Sequence, residues 1–208
     1  MSIKPLHPYS LSLTAASLRA EMMRLQAALY LETEDWERVK REVLSTNAFQ
    51  CRTTGSLIRL ERELRTRIQH LTLPQIRLLA DSTWEARTAM AWLAACKHME
   101  FVRAFATDVL RGKLEIHDPV LRLSDYRAYV EDQAAIHPAL ERLTPASREK
   151  IRQRLLFMLG EAGLLIKGEG LGRISRPAMP PSVMAAIRED HPRWLACFLV
   201  PDSEISRL

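Results

Sequence analysis

The side chains in this sequence best suited to chemistry are arginines and lysines set at helical spacing, and the chemistry they suit is anion recognition. From Thr53 onward, the residues Leu57, Leu60, Leu64, Ile68 and Leu71 fall on one face of a helix. Arg59, Arg62 and Arg65 fall broadly on the opposite side, and Arg52 sits just before the helix. Five arginines against two glutamates over residues 52–67 leave a net charge of +3. A second set begins at Thr144-Pro145. There Ile151, Leu155, Met158 and Ala162 form the apolar stripe, Lys150 and Arg154 lie on another face, and Arg148 and Arg152 flank them. Lys167, Arg173 and Arg176 follow on or beside a Gly-rich turn, and seven basic against three acidic residues over 145–176 leave +4. Arginine's planar fork pairs with phosphate oxygens and guanine edges in a way lysine cannot.

Other chemistries find little support. The six histidines are isolated, and neither His-Glu-x-x-His, Gly-x-Ser-x-Gly nor metal-spaced carboxylates occur. Glu32, Glu34, Asp35 and Glu37 crowd together at a helix start, where capping and the helix dipole account for them. His117-Asp118 precedes Pro119 and reads as turn chemistry. Lys167-Gly168-Glu169-Gly170-Leu171-Gly172 lacks the Gly-Lys-Ser/Thr ending of a phosphate-binding loop and reads as a hairpin turn. Cys51, Cys96 and Cys197 are scattered and odd in number, which argues against disulfides and a zinc site. No enzyme, cofactor or metal is expected.

The elements that carry these residues are mostly helices. Periodicity predicts helices from Thr14 to Leu31, from 34 to 46 with Thr33 as N-cap, from Thr53 to His70, from Thr72-Leu73-Pro74 onward, and over a long stretch from Thr83 to Arg111 that Gly112 ends. Residues 1–12 read as irregular and 113–123 as a connection. Ser124 then caps a helix to about Gln133, a stronger helix runs from Thr144-Pro145 to Glu161, and Leu164–Lys167 and Arg173–Ser175 form a β-hairpin. Pro180-Pro181 precedes a last amphipathic helix that His191-Pro192 breaks. The fold expected is mainly α: a helical N-terminal domain over 1–120 containing a helix-turn-helix-like pair, and a smaller winged-helix-like C-terminal domain over 121–208 with a short β-hairpin. Trp36, Trp84 and Trp92 sit within helical periodicity and are expected in the core.

Composition agrees with a globular protein of 208 residues, 47% hydrophobic and 26% charged, with net charge +5 and pI about 9.4. The longest apolar run, Ala89–Cys96, is eight residues, and Trp194–Val200 is seven, against the roughly 18 that suggest a membrane span. No signal peptide is evident, so a cytoplasmic location is expected. The positive balance suits a nucleic acid or an acidic protein surface. Scarce aromatics favour duplex backbone over stacked single strands.

One pattern runs through the first two-thirds: Tyr9-Ser10, Glu21, Asp35-Trp36, Asn47-Ala48-Phe49-Gln50-Cys51-Arg52-Thr53, Arg67-Ile68-Gln69-His70-Leu71-Thr72, Ala95-Cys96-Lys97 and the Phe105–Leu110 run. Over roughly residues 9–176 it resembles the BrxA family, a small component of BREX phage-resistance systems. The resemblance implies a helical fold likened to the antitermination factor NusB, a role in phage resistance or methylation, and double-stranded DNA binding. It carries no catalytic residue over. The expectation is therefore non-catalytic duplex-DNA binding through Arg52, Arg59, Arg62, Arg65, Lys150, Arg154, Lys167, Arg173 and Arg176. Two alternatives stay open: a scaffold whose basic faces meet other BREX proteins, and an RNA-binding NusB-like protein. The oligomeric state is open, with a monomer preferred.

Overall fold

Apolar residues recurring every three or four positions become helices that wrap one buried helix. The computed structural model describes residues 11–14 and 16–207; Tyr9, Ser10 and nearly all of the irregular stretch expected over 1–12 lie outside the described residues. Helices α1 (Ala20–Thr33), α2 (Trp36–Thr46), α3 (Thr54–Ile68) and α4 (Leu73–Asp81) precede α5 (Trp84–His98). In α5, Met90 through Cys96 are buried in succession, the mark of a helix covered on every side. Helices α1, α3 and α4 pack on it.

Helix α1 starts at Ala20, not Thr14, because the residues before it are bonded elsewhere. The carbonyls of Ala16 and Ser17 accept from the Arg67 guanidinium at 3.2 and 2.7 Å. The Leu18 amide donates to Glu161 at 2.9 Å. At its other end α1 runs on to Thr33, whose hydroxyl donates back to the Leu29 carbonyl at 2.8 Å. The cap of α2 therefore falls to Asp35, whose carboxylate accepts from the amides of Glu37 and Arg38 at 2.8 and 3.3 Å.

The long stretch from Thr83 divides at Met99, whose extended backbone ends α5. Helix α6 (Glu100–Ala104), a π-helical turn (Phe105–Leu110) and α7 (Arg111–Glu115) follow. Gly112 lies inside α7 and does not end it; the left-handed residue comes at His117, φ 59°. That end is fixed by Asp118, which donates its amide to the Lys113 carbonyl at 2.9 Å and accepts from Lys113 Nζ at 2.7 Å.

The expected connection at 113–123 holds a strand, β1 (Val120–Leu121). Helices α8 (Leu123–Ile136), α9 (Pro138–Glu141) and α10 (Pro145–Glu161) follow, then β2 (Leu165–Ile166) and β3 (Gly172–Ile174). Ser124 is not the cap of α8, which begins one residue earlier; Asp125 accepts the Arg122 amide at 2.7 Å instead. The sheet is antiparallel in the order β1–β3–β2, with Val120 opposite Arg173 and Arg173 opposite Ile166. The aromatic cluster Phe101, Phe105, Tyr126 and Tyr129 joins the 100–115 stretch to α8, with the Tyr129 hydroxyl donating to the Phe101 carbonyl at 2.6 Å.

Helix α11 (Pro181–Asp190) opens at the expected prolines but is not the last; a 3-10 segment (Pro192–Phe198) and α12 (Asp202–Ile205) come after it. These elements return to the N-terminal helices. Trp92 Nε1 donates to the Cys197 carbonyl at 2.9 Å, and Lys97 pairs with Asp190 at 2.6 Å. The chain thus crosses the 120/121 boundary in both directions: residues 16–18 reach α10, and residues 181–198 reach α4 and α5.

The hairpin leaves no room for side chains at Gly170 and Gly172. A Cβ on Gly170, φ +63°, would stand 2.5 Å from the Leu121 carbonyl oxygen. A Cβ on Gly112 would meet nothing within 4 Å. Gly170→Ala is expected to destabilise by about 1–3 kcal/mol, while Gly112→Ala in a helix is neutral or stabilising by up to about 1 kcal/mol. Thermal denaturation of the two variants checks this, and equal melting temperatures would refute it.

Candidate nucleic-acid interface

Helix α10 divides cleanly into an inner and an outer side. Ile151, Leu155, Met158 and Leu159 are buried, whereas Ala146, Lys150, Gln153, Phe157 and Gly160 are exposed. Thr144 caps the helix by accepting from the Ser147 amide at 3.2 Å. Of the flanking arginines, Arg148 is spent on the carbonyls of Leu140 and Glu141 at 3.3 and 3.2 Å. Arg152 is forked onto Glu149 at 2.9 and 2.6 Å, which holds the Glu149 carboxyl below its ordinary range and leaves the pair near neutral. Lys150 is exposed and Arg154 half-buried, and among the described residues neither makes an ion pair.

Strand alternation puts Leu165 and Ile174 inward and Ile166 and Arg173 outward. Arg173 therefore stands between Ile166 and Val120 on the open side of the sheet, and Lys167 is exposed at the start of the turn. Arg176 is also exposed, but its guanidinium is forked onto Glu204 at 2.8 and 2.6 Å. Its charge is largely answered within the chain. A groove of about 460 Å³ between α8 and α10 is lined by Leu123, Tyr126, Arg127, Val130, Pro145 and Arg152, among others. Burial pushes the Tyr126 phenol up to about 12, so it is a neutral donor, to the Arg148 carbonyl at 3.4 Å.

In the N-terminal set, Arg52, Arg59 and Arg62 are exposed and, among the described residues, make no ion pair. Arg65 differs. Glu61 is 1% exposed, and its carboxylate accepts from Arg65 Nε at 2.8 Å. Two residues on, Arg67 is fully buried against Glu63. The two glutamates that looked like surface charge instead draw arginines inward. The connection between α2 and α3 spans residues 47–53, about twice the 3–4-residue turn of a helix-turn-helix. Asn47 braces it, accepting the Cys51 amide at 2.9 Å and donating to the Cys51 carbonyl at 3.0 Å.

Of the three tryptophans read as core, Trp92 is fully buried, and Trp36 is half-buried, packed against the core and stacked on Tyr30 with centroids 4.2 Å apart. Trp84 instead is 60% exposed, because it stands in the first turn of α5, ahead of the buried run. It borders a groove of about 300 Å³ with Ala89, Glu161, Met179 and Phe198. Among the described residues no helix is long and apolar enough to cross a membrane.

These features define a mainly helical protein with a short antiparallel sheet in its C-terminal third and two exposed basic sets. The profile of the BrxA family matches residues 7–191, and the chain belongs to that family. It is 22% identical over 151 residues to the BREX protein BrxA of Escherichia coli O9:H4 (strain HS), covering 73% of this chain and 71% of that protein. The crystal structure of an uncharacterized protein from Magnetospirillum magneticum has the same fold, with TM-score 0.80 and 19% identity over 91% of this chain and 97% of that one.

Pairing decides how these cations respond to removal. Arg65→Ala leaves buried Glu61 without its cation and is expected to destabilise by about 1–3 kcal/mol. Arg59→Ala and Arg62→Ala are expected to stay within about 0.5 kcal/mol of the parent. Urea denaturation of the three variants measures the contrast; a stable Arg65→Ala would show that the Glu61 pair carries no weight.

Proposed function

We propose that this chain is a non-catalytic, double-stranded-DNA-binding component of a BREX phage-resistance system, acting in the cytoplasm, and that α10 and the β2–β3 hairpin form its binding surface. Family membership and the relative named as a BREX protein support the system. The observation that carries the binding mode is the order of elements: β1, α8, the one-turn α9, α10, β2, β3, with the sheet ordered β1–β3–β2. That is the order of a winged helix, in which the last helix enters the major groove while the hairpin lies along the backbone. Cations that make no ion pair among the described residues fall where this mode needs them: Lys150 on the outer side of α10, Lys167 and Arg173 on the hairpin.

Phosphate contacts supply affinity and position but no sequence information. Arg52, Arg59 and Arg62 form a second exposed set that can lengthen the phosphate track. Arg65 and Arg176 are engaged with carboxylates within the chain and contribute less. A protein-docking role beside DNA binding has its own support in the exposed Trp84 and the groove it borders, since aromatic anchors are typical of protein interfaces.

The test is a titration against duplex DNA, single-stranded DNA and RNA hairpins at several salt concentrations. Duplex is expected to bind best, with affinity falling steeply in salt. A triple variant at Lys150, Lys167 and Arg173 is expected to flatten the log–log salt slope by about 2.7, one increment per lost phosphate contact. An unchanged slope would remove these residues from the interface, and a preference for RNA would overturn the duplex reading.

A further inference from the structure

The outer side of α10 carries more than charge. At 100° per residue, positions 146, 150, 153, 157 and 160 lie within an arc of about 80°, opposite the buried stripe. The arc reads Ala146, Lys150, Gln153, Phe157, Gly160: one cation, one amide, one aromatic ring and two residues small enough to let the helix approach a surface closely. Lys150 to Phe157 spans about 10 Å of helix axis, close to the length of three base-pair steps at about 3.4 Å each.

Gln153 is oriented. Its Nε2 donates to Glu149 Oε1 at 2.9 Å, and Glu149 is held in turn by the fork of Arg152. A carboxylate only accepts, so it fixes which end of the amide faces it. One Nε2 hydrogen is then committed, leaving the second hydrogen and the Oε1 lone pairs. Adenine in the major groove presents an N7 acceptor beside an N6 amino donor, and glutamine satisfies both with one N–H and its carbonyl. Phe157, one turn on and 57% exposed, offers an apolar surface of the kind that meets the thymine methyl group.

We propose that Gln153 is a base-reading residue selective for adenine, that Glu149 and Arg152 are its positioning residues, and that Phe157 meets a thymine methyl group on the same stretch of major groove. This rests on α10 being the helix that enters the groove. It goes further in requiring that the protein prefers A·T pairs at defined positions instead of binding all duplexes alike.

The experiment is selection of bound duplexes from a random pool by the full-length protein, followed by titration of the enriched and a scrambled duplex. An A·T pair is expected at one or more fixed positions, with the enriched duplex bound about 5- to 150-fold more tightly, the range of one bidentate pair. Replacing that adenine by 7-deazaadenine removes the N7 acceptor and is expected to abolish most of the preference. Uracil in place of the neighbouring thymine removes only the methyl group and is expected to give a smaller loss that Phe157→Ala no longer shows. Gln153→Ala is expected to lose the part of the preference that depends on adenine N7 and to keep only the smaller part that depends on the thymine methyl group, with an unchanged melting temperature. Glu149→Ala is expected to lose part of the discrimination, while Lys150→Ala weakens both duplexes equally. Salt-sensitive binding with no enriched sequence, or a sensitivity to 7-deazaadenine that survives in Gln153→Ala, overturns this inference and leaves the DNA-binding reading intact. Absence of duplex binding at low salt overturns both.

Discussion

The buried guanidinium of Arg67 is the constraint on which the arrangement turns. It has no exposed surface, so each donor must find an acceptor inside the protein. Glu63 takes Nε at 2.9 Å, and the carbonyls of Ser17 and Ala16 take the two terminal nitrogens. Glu63 also accepts from the Ser12 hydroxyl at 2.8 Å, and Ser12 lies 3.3 Å from His98 Nε2. Removing one partner of such a pair strands a charge at a cost of about 3–5 kcal/mol. The satisfied group therefore pins the irregular N-terminal segment across α3. That segment then reaches α10 through the Leu18 amide and Glu161, so one buried cation ties the N-terminal helices to the helix proposed to meet DNA.

A second consequence of internal pairing is a sorting of the basic residues. Net charge alone would treat the arginines as equivalent. Arg65, Arg67, Arg152 and Arg176 are each answered by a carboxylate of the same chain, whereas Arg52, Arg59, Arg62, Lys150, Lys167 and Arg173 face solvent. The first group holds elements in place; the second is available to phosphates. The hairpin adds geometry to this division. With Gly170 pressed onto the Leu121 carbonyl and Gly172 close to that of Ile166, the turn is short and braced by β1, and Lys167 and Arg173 are presented on a stiff support.

How far this was legible beforehand follows from where each signal resides. The stripes of α3 and α10 were legible because side-chain period and helix period coincide locally. The hairpin was legible from its glycines. Strand β1 was not: it is two residues long, and its partner, β3, lies some fifty positions later. The burial of Glu61 was hidden for the same reason, since Gln26, which donates to it, comes from α1. Gly112 failed as a stop because the chain turns where Asp118 can reach Lys113. Trp84 failed as a core residue because periodicity records a face of the helix but not how far along its axis the neighbours extend. Within the candidate interface, the residue types and their spacing were visible, and the carboxylates that neutralise some of them were not.

The link between Leu18 and Glu161 spans 143 positions of sequence. During synthesis the segment before α1 leaves the ribosome long before its acceptor on α10, which is made 143 residues later. Until then Arg67 can hold Ala16 and Ser17, but the Leu18 amide stays open to water. Contacts of such separation slow folding, because the entropy of closing the loop is lost before the contact repays it. The N-terminal helices can assemble as they emerge, whereas the join to α10 waits until Glu161 has been made.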